Sequence, residues 1–485
     1  MTFEDVWIVR WVVQRALAAI YMIAFAVVLR QFKPLLGANG LQPVPEFLAY
    51  RRFAEAPSLF HWRYSDRLVD AVGWTGLALA GVLVLGLPDR GPVWLSTAVW
   101  IALWFLYLSI VNVGQPFYGF GWETMLLEAG FFAAFMGPST LEPSIVPVLI
   151  LRWMLFRTEL GAGLIKLRHD RCWRDLTCLF YHYETQPLPN PLSWYFHHLP
   201  RWVHRVSVLA SHFVQLIVPF GLFAPQPVAS FAGGLIIFHQ LWLIVSGNYS
   251  WLNWLTATLG ITAFCDSTLA AVFPLEVPPT EPRPAAFDAL LWAIAAATVL
   301  LSVRPVLNLF SRNQLMNYSY NRYHLVNTYG AFGSVTKERY EIVLEATDAP
   351  TPDDESRWRE YEFAGKPGDP RRLPPQVAPY HLRLDWLMWF LPFSVAVGPR
   401  GIRVRSHEPW FMRLVEKLLE ADAATLKLLR RNPFPRGRPT FVRALFYLYR
   451  YTDARERRAT GCWWRRSRVG VYLPPTSLRD LRSWR

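Results

Sequence analysis

The sequence predicts a polytopic α-helical membrane bundle of about nine helices, followed by a β-rich α+β soluble domain. Three observations support this fold class. Hydrophobic residues form 53% of the 485 residues and charged residues only 18%, whereas an average soluble chain contains about 25% charged residues. Apolar segments of helix length recur throughout residues 1–305. The mean hydropathy is only +0.17, so a large polar region accompanies the apolar one.

The distribution of charge separates two predicted domains, residues 1–305 and residues 306–485. The net charge of the chain is +14, and residues 306–485 contribute +13 of it. A basic domain beside a membrane favours contact with anionic lipid headgroups or with an acidic partner. The sequence has none of the usual nucleic-acid recognition motifs, so we expect membrane lipids and proteins as partners and no nucleic acid.

Nine segments of residues 1–305 are predicted to cross the membrane. The clearest, 93–113, contains 21 residues without a charge, and about 20 apolar residues suffice to cross the hydrocarbon core as a helix. The first segment contains Arg10 and Arg15, which does not favour a cleavable signal peptide. The predicted spans are 7–29, 68–87, 93–113, 124–137, 144–165, 202–224, 228–246, 249–273 and 285–303.

Several of these predicted spans contain ionisable side chains. Charges at membrane depth are costly and normally face a bundle interior or a water-filled cavity. Asp70, Glu128 and Glu159 are carboxylates of this kind. One alternative function is therefore a small-molecule transporter, which would retain activity without residues 306–485.

Residues 306–485 contain no uncharged run of spanning length, and their patterns indicate mixed structure. Alternation of apolar and polar residues predicts strands at 337–345, 357–363 and 441–451. Apolar residues at helical spacing predict a helix at 408–429, with Phe411, Leu414 and Leu418 on its buried face.

The densest group of polar residues lies between two predicted membrane helices, in a loop at 166–200. A loop of this length inside a compact bundle is usually functional or disordered, and the aromatic residues here favour order. The alternative is a re-entrant loop whose aromatic and arginine side chains lie at the level of the lipid headgroups. The candidate site residues are Lys166, Arg168, Cys172, Trp173, Arg174, Asp175, Cys178, His182, Glu184 and Gln186.

Cys172 and Cys178 are six residues apart, which fits neither a CxxC redox motif nor paired zinc ligands. A local disulfide, two buried thiols and two unrelated cysteines all remain open interpretations. We find no nucleophile elbow, HExxH helix, P-loop or dinucleotide-binding motif. The sequence therefore predicts no metal site, no cofactor and no enzymatic activity.

The segment GAGLIKLRHDRCWRDLTCLFYHYETQPLPNPLSWYFHHLP, residues 161–200, resembles the signature of the lipase maturation factor family. Further blocks that resemble this family lie at 117–131, 329–347, 358–390 and 428–434. The resemblance implies a multi-pass membrane protein that acts as a maturation factor or chaperone, with clients such as lipases. It implies the endoplasmic reticulum membrane for a eukaryotic member and the cytoplasmic membrane for a bacterial one, and the short loops favour a bacterial member.

The same resemblance implies that the basic C-terminal domain lies on the non-cytoplasmic side, where lipase clients fold. The charge pattern favours the opposite arrangement. With nine helices, the basic segments at 30–67 and 166–201 share a side with residues 306–485, and the positive-inside rule would make that side cytoplasmic. Because this rule is weak for long loops and domains, we follow the family.

A second likeness concerns Lys166. The segment AGLIKLRHDRCW, residues 162–173, is similar to the AG-x-K-K-L-D-x-D-W pattern of vitamin K-dependent gamma-carboxylases, in which the lysine before the leucine is catalytic. Ile165 and Arg168 depart from that pattern, and the Asn-His pair of an earlier carboxylase helix is missing. We therefore interpret Lys166 as an architectural remnant or as an ion-pair partner of Asp175 or Glu159. A membrane enzyme that uses Lys166 is the alternative.

Overall fold

The computed structural model describes residues 6–353, 357–399 and 401–483. The described residues up to 310 are predominantly helical, because a helix satisfies the backbone polar groups within its own segment. The helices of this region are α1 (Trp7–Leu36), α2 (Val44–Leu48), α3 (Asp66–Val84), α4 (Val93–Asn112), α5 (Gly121–Ala133), α6 (Ile145–Arg168), α7 (Arg171–Arg174), α8 (Leu179–Thr185), α9 (Ser193–His197), α10 (Arg201–Leu216), α11 (Val218–Gly221), α12 (Val228–Ser246), α13 (Leu252–Ile261), α14 (Asp266–Leu269) and α15 (Ala285–Phe310).

Within the described part of the chain, six helices are long and apolar enough to cross a membrane. They are Trp7–Leu36, Asp66–Val84, Val93–Asn112, Arg201–Gly221, Val228–Ser246 and Ala285–Phe310. A chain with six such helices is a multi-pass integral membrane protein, as the sequence predicts.

The predicted count of about nine spans is not confirmed. The spans predicted at 124–137 and 249–273 correspond to α5 and α13, which have only 13 and 10 residues. The span predicted at 144–165 corresponds to α6, which has 24 residues but contains Arg152, Arg157, Glu159 and Lys166. Hydropathy overestimates the length of α5 and α13, where the chain turns early. It also gives a low score to α6, which is long but buries charged side chains.

Helix α1 shows how the bundle is oriented relative to the C-terminal region. At its start, Asp266 accepts hydrogen bonds from the backbone N–H groups of Trp7 and Ile8, at 2.6 and 2.9 Å. Near its end, Gln31 Nε2 donates to the backbone oxygen of His381 at 2.6 Å. The C-terminal region therefore lies at the end of the bundle opposite to the start of α1.

The C-terminal region is built around a four-stranded antiparallel sheet in the order β2 (Arg359–Glu360), β1 (Arg339–Thr347), β7 (Phe441–Tyr451) and β8 (Trp464–Thr476). Helix α17 (Pro409–Leu419) packs against β7 and buries Phe411, Leu414 and Leu418. The elements, in chain order, are β1 (Arg339–Thr347), β2 (Arg359–Glu360), β3 (Glu362–Phe363), α16 (Arg383–Met388), β4 (Val395–Gly398), β5 (Gly401–Val404), α17 (Pro409–Leu419), α18 (Ala423–Leu426), β6 (Leu429–Arg431), β7 (Phe441–Tyr451), α19 (Ala454–Thr460), β8 (Trp464–Thr476) and α20 (Leu478–Ser483).

The predicted elements of this region agree with the structure in part. The strand predicted at 441–451 is confirmed, and the one at 337–345 overlaps β1. The strand predicted at 357–363 divides into β2 and β3, which pair with different partners. The helix predicted at 408–429 is too long, because Ala421 adopts a positive φ of 54° and ends the helical run.

Candidate functional site

The loop predicted at 166–200 is an ordered layer between the bundle and the C-terminal sheet. It contains the short helices α7, α8 and α9. Cys172 and Cys178 form a disulfide within it. Both cysteines are buried in a small apolar cluster that includes Trp173, Leu179 and Val208. The disulfide therefore lies where the layer packs against α10.

Lys166 is buried at the end of α6 and faces α10. Its ammonium donates to Gln215 Oε1 at 2.7 Å and to Ser211 Oγ at 3.2 Å. The ammonium nitrogen also lies 4.7 Å from the centre of the Trp173 ring. Asp175, one of the two carboxylates proposed as its partner, pairs instead with Arg171 at 3.1 Å.

A cavity of about 260 Å³ lies beside Lys166, between α6, α10, α12 and α13. Glu159 is buried in its wall, and its Oε1 accepts a hydrogen bond from Gln240 at 2.7 Å. His239 is buried in the same wall. The cavity therefore combines a cation, a carboxylate and amide groups inside an otherwise apolar bundle.

Arg168 and Trp173 hold the chain that leads out of α15. Arg168 donates to Gln314 Oε1 and to the backbone oxygen of Leu309, both at 2.7 Å. The indole N–H of Trp173 donates to the backbone oxygen of Phe332 at 2.8 Å. These side chains fix the connection between the bundle and the sheet, and Trp173 also lines the cavity.

His182 and Gln186 belong to one buried hydrogen-bond network. The hydroxyl of Tyr249 lies 2.9 Å from His182 Nε2 and donates to Gln186 Oε1 at 2.6 Å. Gln186 Nε2 donates to Ser193 Oγ at 2.7 Å. Burial and the nearby charge of Lys166 lower the pKa of His182 to about 3, so His182 is neutral at physiological pH.

Glu184 joins the layer to the sheet. Its carboxylate accepts a hydrogen bond from the backbone N–H of Tyr451 at 2.6 Å and pairs with Arg450 at 3.2 Å. Burial raises the pKa of Glu184 although both partners oppose the rise. Beside it, the guanidinium of Arg339 donates to the backbone oxygens of Glu184, Gln186 and Pro187.

The remaining candidate residues, Arg174 and Asp175, are exposed on the outer side of the layer. The structure thus brings Lys166, Trp173 and His182 to one cavity. Arg168, Glu184 and Gln186 make contacts that connect the layer to neighbouring segments. Arg174 and Asp175 lie on the surface.

Sequence analysis missed the strongest contacts between the two regions. Arg383 of α16 donates to Glu123 of α5 at 2.7 Å, and both side chains are fully buried. Tyr107 donates to the same carboxylate. Both charged residues lie in the sequence blocks 117–131 and 358–390, but they are 260 residues apart, so no spacing pattern could pair them.

Two of the three carboxylates proposed for a transporter, Glu128 and Asp70, have fixed partners. Glu128 pairs with Arg157 in the bundle interior and accepts a hydrogen bond from the Tyr329 hydroxyl at 2.8 Å. Asp70 pairs with Lys33 at 2.8 Å. Such partners hold the linker and the helix ends in place, and they do not favour a path for a transported substrate.

Comparison with known proteins gives the same family for both regions. Residues 8–271 match the profile described as the lipase maturation factor transmembrane domain. Residues 325–474 match the profile described as the lipase maturation factor C-terminal domain.

Curated relatives match over almost the whole chain. Lipase maturation factor 1 of Bos taurus is 42% identical over 525 aligned residues, which cover 99% of this chain and 90% of the relative. The Homo sapiens protein of that name is also 42% identical, covering 99% and 89%. Lipase maturation factor 2 of Homo sapiens is 30% identical, covering 96% and 82%. No solved structure matches this chain.

Proposed function

The chain belongs to the lipase maturation factor family, and we propose that it is a membrane-embedded maturation factor for secreted or membrane-associated clients, lipases above all. The observation that carries this proposal is the 42% identity to lipase maturation factor 1 across 99% of the chain. Similarity of that extent includes both the bundle and the sheet, so the function of the relatives is inferred for the whole chain and not for one part.

We propose that the layer at 166–200 acts by positioning the C-terminal domain, and that the client binds the domain itself. Most candidate residues of the layer are buried or half-buried, so they are poorly placed to meet a client. Phe390 and Phe393 are 42% and 50% exposed, and Val397 of the adjacent β4 is also exposed. An apolar surface of this kind suits a client whose lipid-binding face is not yet covered.

We propose nine membrane crossings, with α5, α6 and α13 added to the six long helices. The chain after α5 reaches the start of α1, where Trp7 Nε1 donates to the oxygen of Ser139 at 2.7 Å. The chain after α13 reaches the same end through Asp266. Helix α6 returns to the other end, where Arg168 contacts Gln314. Short helices are tolerated because neighbouring helices enclose them.

We propose that the domain end of the bundle faces the non-cytoplasmic side. The Cys172–Cys178 disulfide lies at this end, and disulfides persist mainly in oxidising compartments. We further propose residues 1–305 and 306–485 as the two domains, with α15 ending just past the boundary at Phe310 and residues 311–338 leading from it to β1.

We propose no catalytic activity for the chain. Lys166, the only residue carried over from the carboxylase pattern, is held by Ser211, Gln215 and the Trp173 ring. Loss of function in a Lys166→Met variant whose abundance and lipid binding are both normal would contradict this proposal.

The test is to co-express a secreted lipase with this protein and to measure lipase activity per unit of secreted lipase. We expect a several-fold gain over cells that lack the protein. A Phe390→Ser, Phe393→Ser double variant should lose most of that gain, whereas Leu373→Ser, also on an exposed apolar residue, should keep it. Equal specific activity with and without the protein would exclude a maturation role for that lipase.

A further inference from the structure

The cavity beside Lys166 has a polar inner end and an apolar mouth. Glu159, at the inner end, lies nine residues before the last residue of α6, a depth of roughly 13 Å at about 1.5 Å per helical residue. The mouth lies between α10 and α12, where Val206, Ala210 and Phe238 line the cavity and are exposed. Both helices are long and apolar enough to cross the membrane, so the mouth opens toward lipid and not toward water.

Two buried polar atoms at the inner end have no hydrogen-bond partner among the described residues. They are Glu159 Oε2 and His239 Nδ1, on side chains that are 1% and 8% exposed. A buried polar atom without a partner costs about 1–3 kcal/mol, so native structures usually supply a ligand or an ordered water at such a place. Both residues line the cavity, which makes it the place where that partner would bind.

The charges around the cavity restrict the chemistry of a ligand. Lys166 uses two of the three donors of its ammonium, which also lies over the Trp173 ring, and the remaining donor can serve an acceptor on the ligand. Glu159 accepts from Gln240 and has the Gln215 side chain beside it, and its Oε2 can accept a further donor from the ligand. A carboxylate or phosphate headgroup would meet the charge of Glu159 in an environment that screens it poorly. The site therefore favours an uncharged headgroup that carries a hydroxyl beside a carbonyl.

We propose that this cavity binds the headgroup of a neutral glycerolipid with a free hydroxyl, such as a monoacylglycerol or diacylglycerol. The hydroxyl donates to Glu159, the ester carbonyl accepts from Lys166, and the acyl chain leaves between α10 and α12. A volume of about 260 Å³ is small for a whole ligand, since ordinary pockets measure about 300–1,000 Å³. It suits a headgroup whose chain remains in the bilayer. Binding does not depend on the maturation role, because it is measured without a client.

The experiment is photolabelling of the purified full-length protein in lipid nanodiscs with a diazirine-bearing monooleoylglycerol. We expect the label on α10 and α12 near Ala210 and Phe238, and competition by excess monooleoylglycerol. Oleate and lysophosphatidate should compete about tenfold less well, because each brings a negative charge toward the carboxylate of Glu159 in an environment that screens it poorly. Glu159→Gln should weaken labelling about tenfold, since it replaces a charged acceptor by a neutral amide of the same shape.

A matched pair of variants separates the cavity from the general lipid surface. Ala210→Trp fills the mouth, whereas Leu209→Trp places the same side chain on the neighbouring exposed position outside the cavity. Ala210→Trp should abolish the site-specific label and Leu209→Trp should preserve it. Labelling that is unaffected by Ala210→Trp, or that is displaced by a quinone or by oleate and not by monooleoylglycerol, would overturn the proposal. A folding defect is detected separately by size-exclusion chromatography of each variant.

Discussion

Buried ion pairs lie both between the bundle and the C-terminal domain and within that domain. Arg383 and Glu123 are both fully buried, and the guanidinium also lies over the ring of Tyr118. Arg339 and Lys366 share the buried carboxylate of Glu341, at 2.6 and 2.8 Å. Pairs of this kind need not add stability over a well-packed apolar alternative, but they are costly to break because one charge stays buried alone.

We expect Arg383→Met to lower the free energy of unfolding by about 3–5 kcal/mol, the usual cost of leaving one buried charge unpaired. Glu123→Gln should be similarly destabilising. The double variant should recover part of the loss, because neither residue is then charged. Thermal unfolding of the purified protein in detergent measures all three values.

The control for this prediction is the exposed pair Arg51 and Glu55, whose side chains are 51% and 50% exposed. Arg51→Met should change the free energy of unfolding by at most about 0.5 kcal/mol, because exposed ion pairs contribute little. If the losses in Arg383→Met and Glu123→Gln were simply additive in the double variant, the two side chains would not act as a pair.

Sequence patterns predict the kind of residue at the site better than its partners. Lys166 and Glu159 are recognisable as ionisable groups in an apolar helix, and such groups normally face a bundle interior. Their partners Gln215 and Gln240 lie 49 and 81 residues away. Partners at such distances are set by how α10 and α12 pack against α6, and no local spacing encodes that packing.

At the scale of elements, close approach of the linker to α6 depends on a glycine. A Cβ at Gly161 would overlap the backbone oxygen of Tyr329. That oxygen belongs to the chain between α15 and β1, which returns to the bundle through Asn327 and Tyr329. A helix face without side chains at this position lets the linker backbone lie directly on α6.

We expect Gly161→Ala to destabilise the protein by about 1–3 kcal/mol, the usual cost of overfilling a packed interior. The matched control is Gly81→Ala, in the last turn of α3, where a Cβ would meet nothing within 4 Å. Gly81→Ala should be neutral or stabilising by up to about 1 kcal/mol, because alanine favours a helix. Equal effects of the two substitutions would show that the contact with Tyr329 is unimportant.

The disulfide in the layer that contains α7 and α8 should contribute to the thermal stability of the protein. The bond joins residues six apart, and closing so short a loop stabilises the folded state by about 2 kcal/mol in the chain-entropy model. The double variant Cys172→Ser, Cys178→Ser should therefore lower the melting temperature measured without reductant. Cys265→Ser, Cys462→Ser removes the two free cysteines and should leave the melting temperature unchanged.

The elements also show why the sequence predicts membrane helices better than the β-containing domain. Hydropathy detects α1, α3, α4, α10, α12 and α15 because each is long and nearly uncharged. The strands β2, β3 and β6 contain only two or three residues each, too few for a periodic pattern. Strand β3 pairs with β6, 69 residues away at Glu362 and Arg431, and β2 pairs with β1.

At the scale of the whole molecule, the two ends of the bundle differ in chemistry. The end that holds Asp266 and the start of α1 also holds the free cysteine Cys265. The other end holds the disulfide and the C-terminal domain, with the free cysteine Cys462. The excess positive charge of residues 306–485 lies at this second end, where the positive-inside rule and the disulfide give opposite indications.

Labelling of the two free cysteines tests which side of the membrane the C-terminal domain occupies, and no new cysteine has to be introduced. A membrane-impermeant maleimide applied to the non-cytoplasmic face of sealed vesicles should modify Cys462 and should reach Cys265 only after permeabilisation. Cys462→Ser should abolish the first labelling and Cys265→Ser the second, so each variant identifies its own signal. Cys462 and the Cys172–Cys178 bond lie at the same end of the bundle. Because disulfides persist in oxidising compartments, we expect that end on the non-cytoplasmic side. Modification of Cys265 in intact vesicles, with Cys462 protected, would place the domain in the cytoplasm, where it could not meet an exported lipase during folding.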